Sequence, residues 1–245
     1  MIEKAIRKYL SEQKVKTLTP KAVLFDMDGV LYNSMKYHAI AWLETAKEIG
    51  IPMETKDVYA FEGQTGPDTI KYIYERANVK IPSKEERDLV YHKKTIRFRR
   101  INDGEPMPGA LKVLNDVQTS GIKQLLVTGS GQDSLINKLN HDFPNHFIKS
   151  EMTTGKNVTH GKPNAEPYLL GLEKAGKLKC NEAFVIENAP LGVQAGKAAH
   201  IFTIAVNTGP LPDSALLEAG ADLLFPDMET LHQNWKNILQ VCQNL

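Results

Sequence analysis

The chain has 245 residues, 42% hydrophobic and 24% charged, enough apolar material to bury a core and enough charge to stay dissolved. Its 30 Lys and Arg nearly balance 29 Asp and Glu, which leaves no global field for nucleic acid or an anionic membrane. Cys180 and Cys242 form neither a metal-ligand spacing nor a disulfide framework. No apolar run approaches the roughly 18 residues of a membrane span, and residues 1–20 lack the apolar centre of a signal peptide. A reducing cytoplasm is the expected compartment, and a monomer the expected state.

Residues 1–18 carry Ile2, Ala5, Ile6, Tyr9 and Leu10 at helical spacing between charges. This predicts a short amphipathic helix on the outside of the domain, with a basic partner-binding arm as the alternative. Thr19-Pro20 breaks it. Ala-Val-Leu-Phe at 22–25 is the continuous apolar run of a strand buried on both faces. It stops at Asp26; Asp28 and Gly29 follow, in the turn away from the strand end. Isolated buried carboxylates cost several kcal/mol or more, so a pair of them at a strand mouth calls for a compensating partner. A divalent cation suits carboxylate and carbonyl oxygens; an ordinary Asp-Gly turn is the plainer reading.

From residue 35 to 49, Ala39, Trp42, Leu43, Ala46 and Ile49 line one helical face, closed by Gly50-Ile51-Pro52. Polar helical segments follow to about Arg100, with breaks at FEGQTGPD and NVKIPSKEE, and no strand is expected between Asn33 and Asn102. Residues 35–103 therefore read as a small helical domain inserted between 21–34 and 104–245, with 1–20 as an N-terminal extension. After Pro108, helices are expected at 109–119, 133–139, 164–175 and 190–199, alternating with strands at 122–128, 183–187, 201–206 and 223–225. That alternation predicts an α/β, doubly wound parallel sheet, which places ligands at the carboxyl ends of its strands.

The residues at those ends are Asp26, Thr128 and the Glu187-Asn188 pair, with Lys162 opening GKPNAEPY before a helix. Thr128 is followed by Gly129-Ser130-Gly131, a turn whose backbone N–H groups suit a phosphate. Taken singly, each has a plain alternative: an ordinary strand-to-helix turn, a solvated loop lysine, a helix N-cap.

Together the ordered segments DMDG, TGSG, GKPNAEPY and IEN resemble the four motifs of the haloacid dehalogenase phosphotransferase superfamily. The resemblance covers nearly the whole chain from Ala22, and the helical insert matches that family's small cap. The GKPNAEPY segment and the PLGVQAGKAA helix are similar to the β-phosphoglucomutase-type branch. The resemblance implies a Rossmann-like core and a small phosphorylated substrate. It makes Asp26 the nucleophile that forms an aspartyl-phosphate, and Asp28 the general acid and base. Mg2+ would be held by Asp26 and the Asp28 carbonyl; Thr128, Lys162 and the Gly129 and Ser130 amides would bind the phosphoryl oxygens.

One departure stands out. The last motif of this branch commonly ends in Glu-Asp, and here it is Glu187-Asn188, so the metal shell of Glu187 and Asn188 lacks one charge. Either a charged site tolerates the swap, or another carboxylate replaces it, with Glu62 in the cap as the candidate. The Glu-Asn pair, with MDGVL and ENAPLGV, is similar to an inorganic pyrophosphatase subgroup in which a cap glutamate reaches the metal. That likeness places His38 and Lys94 against the second phosphate and favours pyrophosphate. A sugar-phosphate mutase or phosphatase is the alternative, weakened as a mutase by Gln64, where the mutase loop has an arginine. A phospho-receiver is too short a fold and lacks a cap, and intact Asp26 and Asp28 argue against a non-catalytic binding protein. His92, His141, His146, His160, His200 and His232 form no triad or metal spacing.

Overall fold

The computed structural model describes residues 1–130 and 133–245. Five strands, β1 (Ala22–Phe25), β2 (Lys123–Leu126), β3 (Ala183–Glu187), β4 (Phe202–Val206) and β5 (Leu223–Phe225), form one parallel sheet ordered β2-β1-β3-β4-β5. Alternate β1 residues face opposite layers, as the two-residue period of a strand requires. Val23 and Phe25 join a cluster with Ile6, Tyr9, Val113, Leu114 and Trp235, whereas Ala22 and Leu24 join Tyr168, Leu172, Ala195 and Ala199. Helices α1 (Ile2–Gln13), α6 (Ala110–Thr119), α7 (Asp133–Asp142) and α11 (Met228–Asn244) accompany the first layer; α8 (Glu166–Lys174) and α9 (Pro190–Ala198) cover the second, with α10 (Asp213–Glu218) packed beside α9 through Leu216 and Val193. Both faces being covered explains why the strands read as unbroken apolar runs. Truncating a wholly buried ring such as Phe25 to Ala in such a core costs about 3–5 kcal/mol.

Register does the positioning. Phe25 pairs with Leu126 on one side and Ile186 on the other, and the Asp26 amide donates to the Ile186 carbonyl. Asp26, Val127 and Glu187 therefore stand at one level, with Thr128 one residue beyond.

Between β1 and α6 come α2 (Met35–Glu48), α3 (Thr55–Ala60), α4 (Gly66–Arg76) and α5 (Lys84–Ile101). They share an apolar cluster of their own, including Met35, Trp42, Val58, Phe61, Ile70 and Ile73. Thr65 caps α4, and Ser83 with Glu86 forms a capping box on α5, so both breaks seen in the sequence are helix starts.

Two expectations need correcting. The first helix stops at Gln13, where Lys14 turns left-handed at φ 54°, short of the break expected at Thr19-Pro20, and its apolar face packs into the core. Ile2, Ile6 and Tyr9 are buried, with the Tyr9 ring edge-on to Phe202 at 5.4 Å and its hydroxyl donating to the His200 carbonyl at 2.9 Å. The α8 helix starts two residues late because the Asn164 side chain accepts the Glu166 amide and holds the preceding segment in a turn. Gly131 of the glycine-rich turn lies outside the described residues. No helix among the described residues is long and apolar enough to cross a membrane.

Candidate active site

At the carboxyl end of the sheet, Asp26, Asp28, Glu62 and Glu187 are buried together with Lys162 and Lys94. The chain reaches Asp28 through a tight turn in which Gly29 sits at φ +84°; a Cβ there would lie 2.0 Å from the Asn188 amide nitrogen. Only glycine lets Asn188 come that close.

Lys162 is fully buried and spends its three protons on Asp26 Oδ1 at 2.5 Å, Glu187 Oε1 at 2.6 Å and the Val127 carbonyl at 3.1 Å. Burial works against its charge, but the two carboxylates outweigh that and raise its pKa above the usual lysine range. Burial likewise pushes Asp26 up to about 8, with Lys162 opposing and Glu187 and Asp28 adding to the rise.

Asp28 is held differently. Its Oδ1 accepts from Ser34 Oγ at 2.5 Å and lies 3.1 Å from His38 Nε2, while Lys94 Nζ is 2.6 Å from His38 Nδ1. An ammonium donating into Nδ1 leaves Nε2–H to donate to Asp28, which assigns the neutral tautomer of His38. Burial first, and then the Lys94 charge, lowers the His38 pKa. Burial would raise Asp28, but the His38 and Ser34 contacts overcome it and hold the carboxyl below its usual range. Lys94 is brought down to about 7 by burial, against the pull of Asp28. Its Nζ lies 5.1 Å from the ring centroids of both Trp42 and Phe98, and Phe98 stacks on His38 at 4.0 Å. The cap thus presents a basic pair braced on aromatic faces.

Glu62, in the turn after α3, reaches the core: its Oε1 accepts from Asn188 Nδ2 at 3.1 Å. Burial, then the Asp26 charge, pushes its pKa well up, with the Asn188 contact opposing. Asn188 Oδ1 is buried with no hydrogen-bond partner, a carbonyl oxygen left open on the side chain that reaches Glu62. Among the described residues no three His, Cys, Asp or Glu side chains converge into a ready-made cation cage. The donors are instead of the kind Mg2+ takes, since that ion keeps several waters and needs only one or two carboxylates. Asp26, the Asp28 carbonyl, Asn188 Oδ1 and Glu62 fit it.

Glu187 does not fit the metal role expected for it. Lys162 and the Tyr168 hydroxyl (2.7 Å) occupy Oε1, and the Asn188 and Ala189 amides occupy Oε2 at 3.0 and 3.3 Å. All four favoured directions are used, so Glu187 anchors Lys162 instead. Gly192 makes room for it: a Cβ there would lie 1.8 Å from Oε1. The Ser130 amide, expected to face a phosphate, donates to Thr128 Oγ1 at 3.0 Å in this arrangement.

A cavity of about 60 Å³ lies between these groups, lined by Asp26, Asp28, His38, Glu62, Lys94 and Thr128, with Gly129 and Ser130 at its core side and Trp42, Phe61 and Tyr91 toward the cap. The structure therefore gathers every residue singled out from the sequence. It adds Ser34 and Tyr168 and brings Gln64 of the cap loop to the cavity. Ser34 precedes α2 and reads as an N-cap, yet its hydroxyl turns to Asp28. Tyr168 ends GKPNAEPY and reads as core. Gln64 lines the cavity with its Oε1 buried and unpartnered.

A parallel sheet with paired aspartates at the end of an interior strand, a buried lysine beside them and a helical lid defines a phosphoryl-transfer class of α/β enzyme. Residues 23–206 match the haloacid dehalogenase-like hydrolase family, and the chain belongs to it. Among solved structures it is similar to "Putative beta-phosphoglucomutase from Bacteroides vulgatus", 45% identical with a TM-score of 0.94 over 99% of this chain and 98% of that one. It is 31% identical to the phosphorylated carbohydrates phosphatase of Thermotoga maritima over 86% of this chain and 97% of that protein. It is 26% identical to the β-phosphoglucomutase of Bacillus subtilis over 88% of this chain and 96% of that protein.

Proposed function

We propose that the protein is a Mg2+-dependent phosphohydrolase that works through an aspartyl-phosphate on Asp26 and takes inorganic pyrophosphate as its substrate. The observation that carries the substrate choice is the buried Lys94 of the cap, held through His38 against Asp28. A departing phosphate needs positive charge close by, which Lys94 supplies, with neutral His38 fixing the ammonium next to Asp28.

One carboxylate oxygen of Asp26 attacks phosphorus in line. The bond to the bridging oxygen breaks, and phosphate departs toward Lys94. Lys162 and Thr128 orient the transferred phosphoryl oxygens. Asp28, kept an acceptor by Ser34 and His38, then takes a proton from water, whose oxygen displaces Asp26 from phosphorus and releases the second phosphate. A phosphate leaving group needs less protonation than a sugar alkoxide, which suits an Asp28 that stays ionised. Mg2+, held by Asp26, the Asp28 carbonyl, Asn188 and Glu62, would screen the repulsion between these carboxylates and the phosphate oxygens.

The second reading is a sugar-phosphate phosphatase or β-phosphoglucomutase. It is favoured by the names of the relatives. A purified-protein panel decides: kcat/KM for pyrophosphate should exceed that for hexose 6-phosphates and β-glucose 1-phosphate by a hundredfold or more. A preference for any hexose phosphate would replace this reading with the second.

A further inference from the structure

Tyr168 is wholly buried in the layer formed with Leu24, Val127, Val185 and Leu172, where an apolar ring alone would complete the packing. It nevertheless carries a hydroxyl, and that hydroxyl donates to Glu187 Oε1 at 2.7 Å, the same oxygen that holds Lys162 at 2.6 Å. Lys162 Nζ also lies 5.1 Å from the Tyr168 ring centroid, so the ring forms a floor beneath the ammonium.

The three protons of Lys162 are all committed, so contact with a phosphoryl oxygen requires one to be released. The Val127 carbonyl, at 3.1 Å, is the weakest partner. What then fixes the ammonium is the balance between Asp26 Oδ1 and Glu187 Oε1, at nearly equal distances of 2.5 and 2.6 Å. A second donor on Oε1 takes up part of its accepting capacity and weakens its hold on the lysine. We propose that Tyr168 is a positioning residue whose hydroxyl, by sharing Glu187 Oε1, keeps Lys162 poised between Glu187 and Asp26 so that it can follow the phosphoryl group. This rests on the reading of Asp26 as nucleophile. Without the hydroxyl, Oε1 has Lys162 as its only side-chain donor, and the ammonium settles on Glu187, away from the reacting oxygen.

The substitution that isolates the hydroxyl is Tyr168→Phe, which retains the ring floor. The 15Nζ resonance of Lys162, assigned by its loss in Lys162→Arg, reports position independently of any substrate and should shift in Tyr168→Phe; an unchanged resonance overturns the proposal. With Mg2+ present, affinity for trifluoroberyllate, a tetrahedral mimic that binds a nucleophilic carboxylate, should fall about tenfold. With pyrophosphate, kcat should also fall about tenfold while KM stays within about twofold. In a Glu187→Gln background, Tyr168→Phe should then have less than a twofold further effect on either, because the route through Glu187 is already cut. An equal tenfold loss in both backgrounds overturns the proposal, since Tyr168 would be acting independently of Glu187. Should Glu187→Gln not fold, the resonance decides alone. A wild-type protein that binds no trifluoroberyllate refutes the assigned nucleophile, and the Lys162 resonance still judges Tyr168.

Discussion

Replacing Glu62 with Gln should change metal affinity and metal-free stability in opposite directions. The carboxylate is buried in a region that already holds Asp26 and Asp28, and burial with their repulsion pushes its pKa well up. A unit charge pair about 4 Å apart at an effective dielectric near 20 is worth about 4 kcal/mol, so a divalent ion would gain about 8 kcal/mol in gross attraction. Ionising the buried acid and overcoming its carboxylate neighbours takes back most of that. A net loss of about 2.7 kcal/mol, or a hundredfold weaker Mg2+ Kd, is the expected size. Without metal the same substitution spares the chain the proton uptake that burying Glu62 requires, while Gln keeps an oxygen for Asn188 Nδ2, so Tm should hold or rise. Titration calorimetry with Mg2+ and thermal denaturation in chelator test the two halves. A Kd within threefold of wild type, or a lower metal-free Tm, refutes the assignment of Glu62 to the cation site.

Asp26→Asn should abolish turnover without unfolding the protein, checked by steady-state assay and circular dichroism on the same sample. Asp28→Asn should also cripple turnover, but by less with pyrophosphate than with any sugar phosphate the protein accepts, because phosphate leaves with less proton assistance. The metal-free protein should lose stability as pH rises from about 5 toward about 8. Asp26, raised to about 8, and Glu62, raised well above its usual value, keep protons in the folded state that the unfolded chain has already released. Mg2+ should therefore raise Tm more at pH 8 than at pH 5, and a pH-independent increment would contradict the buried acid cluster. Gly192→Ala should destabilise by about 1–3 kcal/mol in denaturant unfolding and lower kcat, because its Cβ would meet the Glu187 carboxylate at 1.8 Å.

The strand ends were legible in the sequence because unbroken apolar runs stop at polar residues there, and a parallel sheet brings those stops to one edge. Asp26, Thr128 and Glu187 follow from that rule together with the register. The helical insert was legible from 3.6-residue periodicity and from Gly and Pro breaks. Side chains whose role depends on partners distant in sequence were harder to read. Glu187 reads as a metal ligand in the sequence, but its four hydrogen bonds tie it to Lys162, Tyr168 and two backbone amides, and nothing local to Ser34 marks that its hydroxyl serves Asp28. The first helix carried a clear amphipathic face, but only the fold shows that this face completes the core.

The most direct test is to trap the intermediate. The protein is mixed with Mg2+ and pyrophosphate, quenched in acid within milliseconds, reduced with borotritide and mapped by peptide mass spectrometry. An acyl-phosphate at Asp26 is reduced to homoserine, so tritium at position 26 alone, dependent on both Mg2+ and pyrophosphate, is the predicted result. Label at another carboxylate, or none while pyrophosphate is being turned over, would contradict the account.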